Sequence, residues 1–299
     1  MTVLLVGFDS AWTTTNSGAV VGALYHNDQT FQSLGTPEIV DNSAAGDLIR
    51  RWQAELVPTS TIVLIDQPTI VKNADGQRPV ENIVGSSVCR RYGGMQPANT
   101  ARKEMFGKEA PVWRFLTRFG GAADPLAPVT NTCVLETYPV LAMIALDWML
   151  SDSRLLGRLP KYNPKRKKTF SISDWQYVCN RLFPALHERG LTHLARWVSE
   201  VGKHTSPTKA SQDGLDACLC LLVAVYLVEQ KNCLMVGDWD TGYIVVPYSD
   251  AIRAELDARC QHTGRDPAMW VRVFKMKTRL DGPVIPELSG IAINGMPVL

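Results

Sequence analysis

Five carboxylates define the chemistry to expect of this chain. Asp213 and Asp216 stand three positions apart in SQDGLDACLCLLVA (residues 211–224), at the entrance to a long apolar run. Three more acids close short apolar runs: Asp9 ends TVLLVGFD, Asp66 ends TIVLID, and Glu136 is next to last in NTCVLET. On a helix, positions i and i+3 share a face. Helical steps from Asp216 reach Cys220, Val223 and Leu227, so the pair extends the core-facing stripe. Gathered carboxylates repel: two unit charges ~4 Å apart cost about 4 kcal/mol at an effective dielectric near ~20. Protonation or a divalent cation relieves that cost. Oxygen-only ligation suits Mg2+ or Mn2+ rather than Zn2+. Two such ions would activate a water and stabilise the leaving oxygen in phosphodiester cleavage. Each acid alone has a plainer reading, as a loop residue or, for Asp213, a helix cap. Asp216 lies inside the first turn on the apolar side, and the joint pattern favours a site.

A sheet is needed to bring these acids together. Residues 2–9, 17–25 and 30–34 read as strands close enough in sequence for antiparallel hairpins, with His26, Asn27 and Asp28 as one turn. Strands at 61–66 and 131–137 follow long, partly helical segments, as parallel strands require. Helices are expected over 44–56, 111–119, 140–150, 173–188, 191–201, 212–229 and 249–260, with further strands at 243–246 and 269–276. The expected fold is α/β, a mixed sheet of three antiparallel strands then parallel ones, flanked by helices. Parallel neighbours would collect the strand-end acids at the edge where open α/β sheets bind ligands. The 299 residues are read as a single domain, with insertions at 69–130 and 151–210 and a C-terminal extension over 249–299.

Composition is that of a soluble globular protein, 45% hydrophobic and 20% charged. The net charge of +2 leaves polyanion binding to a local patch. Candidates are Lys161, Lys165, Arg166, Lys167 and Lys168 in the basic stretch 158–170, and Arg90, Arg91 and Arg102 after Asp66. A charge run is more often a solvated loop; contact with phosphates would be salt-dependent. Trp12 could stack on a base, though core packing is the commoner use. The seven scattered cysteines form no CxxC pair, which suits a reduced, cytoplasmic protein. His187 and His193 lack zinc-site spacing. The apolar N-terminus has no preceding basic region and meets Asp9 early, so neither a signal peptide nor a membrane span is expected.

The three-stranded start, Asp9, Asp66 and the late D-x-x-D helix resemble Holliday-junction resolvases of the ribonuclease H-like superfamily. GFDSAW, LIDQP, LETYP, DGLDACLCLLVA and GDWDTGYIVVP more closely resemble family 429 of the domains of unknown function, described as predicted nucleases with a ribonuclease H fold. The likeness spans residues 3–247. It implies a ribonuclease H-like sheet, two Mg2+ or Mn2+ ions on Asp9, Asp66, Asp213 and Asp216, and a nucleic-acid substrate. Glu136 departs from the resolvase pattern as an additional acid: a ligand, a supporting group or a general base.

Two other functions compete. A sugar-kinase-like, ATP-binding phosphotransferase shares this core, but SAWTTT after Asp9 has no glycine before Gly18 to cradle phosphates. A non-catalytic binding protein on the same fold is disfavoured by the intact set of acids. An oligomer is compatible with either reading.

Overall fold

β1 (Thr2–Asp9) is the hub of the main sheet. It has no polar side chain between its end residues, as a strand paired on both edges and covered on both faces must. The computed structural model describes residues 2–85, 95–129, 131–152 and 157–277. β2 (Gly18–His26) pairs antiparallel with β1, and β3 (Phe31–Ser33) and β4 (Glu38–Val40) both pair with β2. On the other side, β5 (Ser60–Ile65) runs parallel to β1, and β6 (Thr132–Glu136) runs parallel to β5. The order is β3-β2-β1-β5-β6, the mixed sheet expected, with β4 added.

One face of this sheet is covered by α8 (Lys209–Val228), which packs on β1, β2 and β5. The helix is long and apolar enough to cross a membrane, yet it is buried inside the protein. Close packing demands a glycine beneath it. A Cβ on Gly7 would lie 2.0 Å from the Ala217 carbonyl oxygen. The opposite face carries α1 (Asn42–Leu56) and α4 (Pro111–Thr117), where Leu4, Val6 and Phe8 meet Ile49, Trp52 and Phe115. The insertion over 69–130 also holds α2 (Pro79–Val84) and α3 (Lys103–Phe106). α5 (Pro139–Ala145) follows β6 and is shorter than expected, the chain turning at Asp147 with φ of 58°. α6 (Ile172–His187) and α7 (Thr192–Gly202) pack on each other and on α8.

A second sheet corrects the expected single strand at 243–246. That stretch is half of a hairpin, β7 (Cys233–Asp238) with β8 (Gly242–Pro247), and β9 (Val271–Phe274) pairs with β7. α9 (Asp250–His262) precedes it, and the strand expected over 269–276 begins as the short α10 (Pro267–Trp270). The C-terminal extension is thus woven into a sheet as far as it is described. Thr137 Oγ1 donates to the Val245 carbonyl at 2.8 Å, linking the end of β6 to β8. Six cysteines are free and buried; Cys89 lies outside the described residues.

Candidate functional site

The register of β1 and β5 sets Phe8 against Ile65, and the Asp66 amide donates to the Phe8 carbonyl at 2.9 Å. Asp9 and Asp66 are therefore lateral neighbours at the carboxyl ends of adjoining parallel strands, about 4.8 Å apart at the backbone. Alternation puts Asp9 on the side of Gly7, which faces α8. From α8 come Asp213 and Asp216. All four acids, with Glu136, line one cavity of ≈ 800 Å³.

The helix starts at Lys209, three residues earlier than expected, because Thr208 caps it: the Ser211 amide donates to Thr208 Oγ1 at 3.1 Å. Asp213 is therefore past the capping positions. Its carboxylate pairs with Lys209 Nζ, one turn earlier. Asp216 accepts from the Tyr162 hydroxyl at 2.6 Å and from Gln212 Nε2. Asp9 is only 6% exposed, and among the described residues no hydrogen bond reaches its carboxylate or that of Asp66. Neither carboxylate is among the fully buried, unpartnered side-chain atoms of the described residues, so both open onto the cavity, where a solute could meet them.

The electrostatics agree. Burial, then the charges of Asp216 and Asp66, pushes Asp9 well above the ordinary carboxylate range. Burial and Asp216 do the same to Asp66. Burial also raises Asp216, but Lys209 and the Tyr162 hydrogen bond restrain it to about 6. Burial alone would depress the Lys209 ammonium; Asp9, Asp216 and Asp213 more than offset that and raise it.

Glu136 lines the same cavity but stands one step back, paired in register with Ile65. Both its oxygens are engaged. Arg78 Nη1 and Nη2 donate to it at 2.9 and 2.6 Å, and the Thr69 amide at 2.9 Å. Arg78 Nε also donates to Glu81 at 2.8 Å, and the guanidinium is 1% exposed. Burial would lower its pKa, but Glu136 and Glu81 reverse that. Glu136 has the geometry of a buried counterion rather than of a free ligand.

The basic loop divides. Lys161, Lys165 and Arg166 line the cavity, whereas Lys167 and Lys168 are exposed and do not. The loop is anchored by Asp174, which pairs with Arg158 and accepts from the Lys161 amide at 2.7 Å. Arg102 donates to Gln96 at 2.8 Å and is not part of the cavity wall. Arg90 and Arg91 lie outside the described residues. Trp12 is on the wall, partly buried, with φ of 62° and its ring edge-on to Phe106. His187 and His193 are exposed.

Three functional candidates escaped sequence reading: Lys209, Tyr162 and Arg78. Only Lys209 had a signal, its i, i+4 spacing to Asp213. Among the described residues, no three His, Cys, Asp or Glu side chains form a ready metal-ligand set. The donor chemistry nevertheless fits a hard cation: oxygen throughout, with two carboxylates unpartnered.

Fold and site together define an α/β protein with an acid-floored, base-rimmed cavity at the ends of its parallel strands. The chain belongs to the family described as Protein of unknown function (DUF429), whose model matches residues 7–240. No curated protein and no solved structure matches it.

Proposed function

We propose that the chain is a metal-dependent nuclease, hydrolysing phosphodiesters on a ribonuclease H-like sheet. The observation that carries this reading is the bare Asp9–Asp66 pair on adjacent parallel strands, facing Asp213 and Asp216 from α8. The strand order, antiparallel then parallel, supports the fold assignment. Asp9, Asp66, Asp213 and Asp216 are the residues to hold Mg2+ or Mn2+. A bound ion would polarise a phosphoryl oxygen and ease deprotonation of the attacking water. Tyr162 and Gln212 orient Asp216, Arg78 fixes Glu136 beside the cavity, and Lys161, Lys165 and Arg166 are placed to hold backbone phosphates. The test is hydrolysis of branched DNA, single strands and RNA–DNA hybrids with Mn2+. Activity should vanish in Asp9→Asn and in Asp213→Asn; activity that survives both would overturn the assignment.

The lack of a ready three-ligand set among the described residues favours a second reading, a non-catalytic binding protein. Calorimetry separates the two, since failure to bind Mg2+ or Mn2+ supports the second.

A further inference from the structure

We infer that Lys209 stands in for one of two metal ions, so that the cavity takes a single divalent cation per chain. This rests on the metal-dependent reading above and specifies its stoichiometry.

The four aspartates are not equivalent. Asp213 is neutralised by the Lys209 ammonium, and Asp216 is tied to Tyr162 and Gln212. Asp9 and Asp66 alone are without donors among the described residues. One ion therefore has an unoccupied pair of carboxylates to meet, on the strand side of the cavity. On the helix side the positive charge is already present and covalently attached. Lys209 is the first residue of α8, and the Thr208 cap fixes its backbone. Its side chain, two-thirds buried, reaches forward one turn to Asp213.

Charge balance points the same way. Within the aspartate cluster alone, four carboxylates, the Lys209 ammonium and one divalent ion leave a single formal negative charge. A second divalent ion would make that cluster cationic while Lys209 stays paired with Asp213, with Lys161, Lys165 and Arg166 already on the cavity wall. At short range and reduced dielectric, like charges repel strongly. A second ion must therefore expel Lys209 from Asp213.

The experiment is calorimetric titration of the full chain with Mn2+, for the wild type and for Lys209→Met. One ion should bind the wild type and two should bind Lys209→Met, with thermal melts checking that both are folded. Two ions on the wild type, or one on a folded Lys209→Met, overturn the inference while leaving the metal-dependent reading intact. No Mn2+ on either protein overturns both. If Lys209→Met does not fold, the wild-type stoichiometry still decides. A second measurement follows the Lys209 ammonium by nitrogen NMR as Mg2+ is added. Its signal should persist in the paired state, and release to solvent would overturn the inference.

Discussion

The Tyr162 hydroxyl donates to Asp216 Oδ1 at 2.6 Å, tying the basic loop to the acidic helix across the floor of the cavity. Hydrogen bonds to a charged group contribute about 1.5–3 kcal/mol. In Tyr162→Phe the bond is lost, and the Asp216 pKa should climb above about 6 because one restraint on it is gone. Carboxyl-carbon NMR titration of the metal-free protein reads this directly. An unchanged Asp216 titration would show that the bond does not operate in solution.

The same acids set a pH dependence. Asp9, Asp66 and Asp216 hold their protons longer when folded than when unfolded. As pH rises past about 4, the unfolded chain ionises first and gains relative stability. Metal-free stability should therefore fall from pH 4 through about 6 and beyond. For Asp216, moved from 3.8 to about 6, the loss is about 3 kcal/mol by pH 7. On the metal-dependent reading, Mn2+ should favour the ionised form and raise the melting temperature more at pH 8 than at pH 5. Melting curves with and without chelator check both halves.

The role of Glu136 is separable from the metal question. Arg78→Met removes the guanidinium between Glu136 and Glu81 and leaves two buried acids uncompensated, at a cost of about 3–5 kcal/mol. Glu136→Gln should also lower stability in urea, yet leave Mn2+ affinity unchanged. A large drop in Mn2+ affinity in a folded Glu136→Gln would instead make Glu136 a ligand.

Gly7 controls the distance between the two halves of the site. The Ala217 carbonyl leaves no room for a methyl group there, so Gly7→Ala should push α8 off β1 and cost at least about 1–3 kcal/mol. It should also weaken Mn2+ binding, by separating Asp213 and Asp216 from Asp9. Denaturation and calorimetry on the same sample test whether the two losses travel together.

Nucleic-acid binding should discriminate within one loop. Removing Lys161 and Lys165 together should flatten the dependence of log affinity on log salt by about 2, one for each phosphate no longer neutralised. Removing Lys167 and Lys168, which do not line the cavity, should leave the slope unchanged. Filter binding across a salt series distinguishes the pairs.

The main sheet was legible because its long buried strands are nearly uninterrupted apolar runs, and Asp9 and Asp66 because each closes one. α8 was legible for the same reason, but its start was set by Thr208, a cap separated from the apolar run by polar residues. β4 has three residues and no burial pattern to read. β7 went unassigned because its apolar run, Cys233 to Val236, is too short for periodicity to mark it as a strand. At the site, Asp9 and Asp66 needed only register to meet. Arg78 sits in a polar stretch with nothing to mark it as buried, and its partner Glu136 is 58 residues away. Tyr162 was hidden among lysines for the same reason: its hydrogen bond to Asp216 exists only in the fold.

The Arg78 clamp changes how the segment over 69–130 can be handled. Arg78 also donates to the Ile70 carbonyl at 3.0 Å, and a Cβ on Gly242, at the start of β8, would lie 2.7 Å from its Nη1. One guanidinium thus fastens the segment to the end of β6 and abuts the second sheet. A shortened variant that trims this region to obtain a minimal scaffold would strand an unpaired carboxylate in the core and loosen the joint between the sheets. The segment is a keystone, and any truncation must retain residues 69–84 or replace Glu136 at the same time.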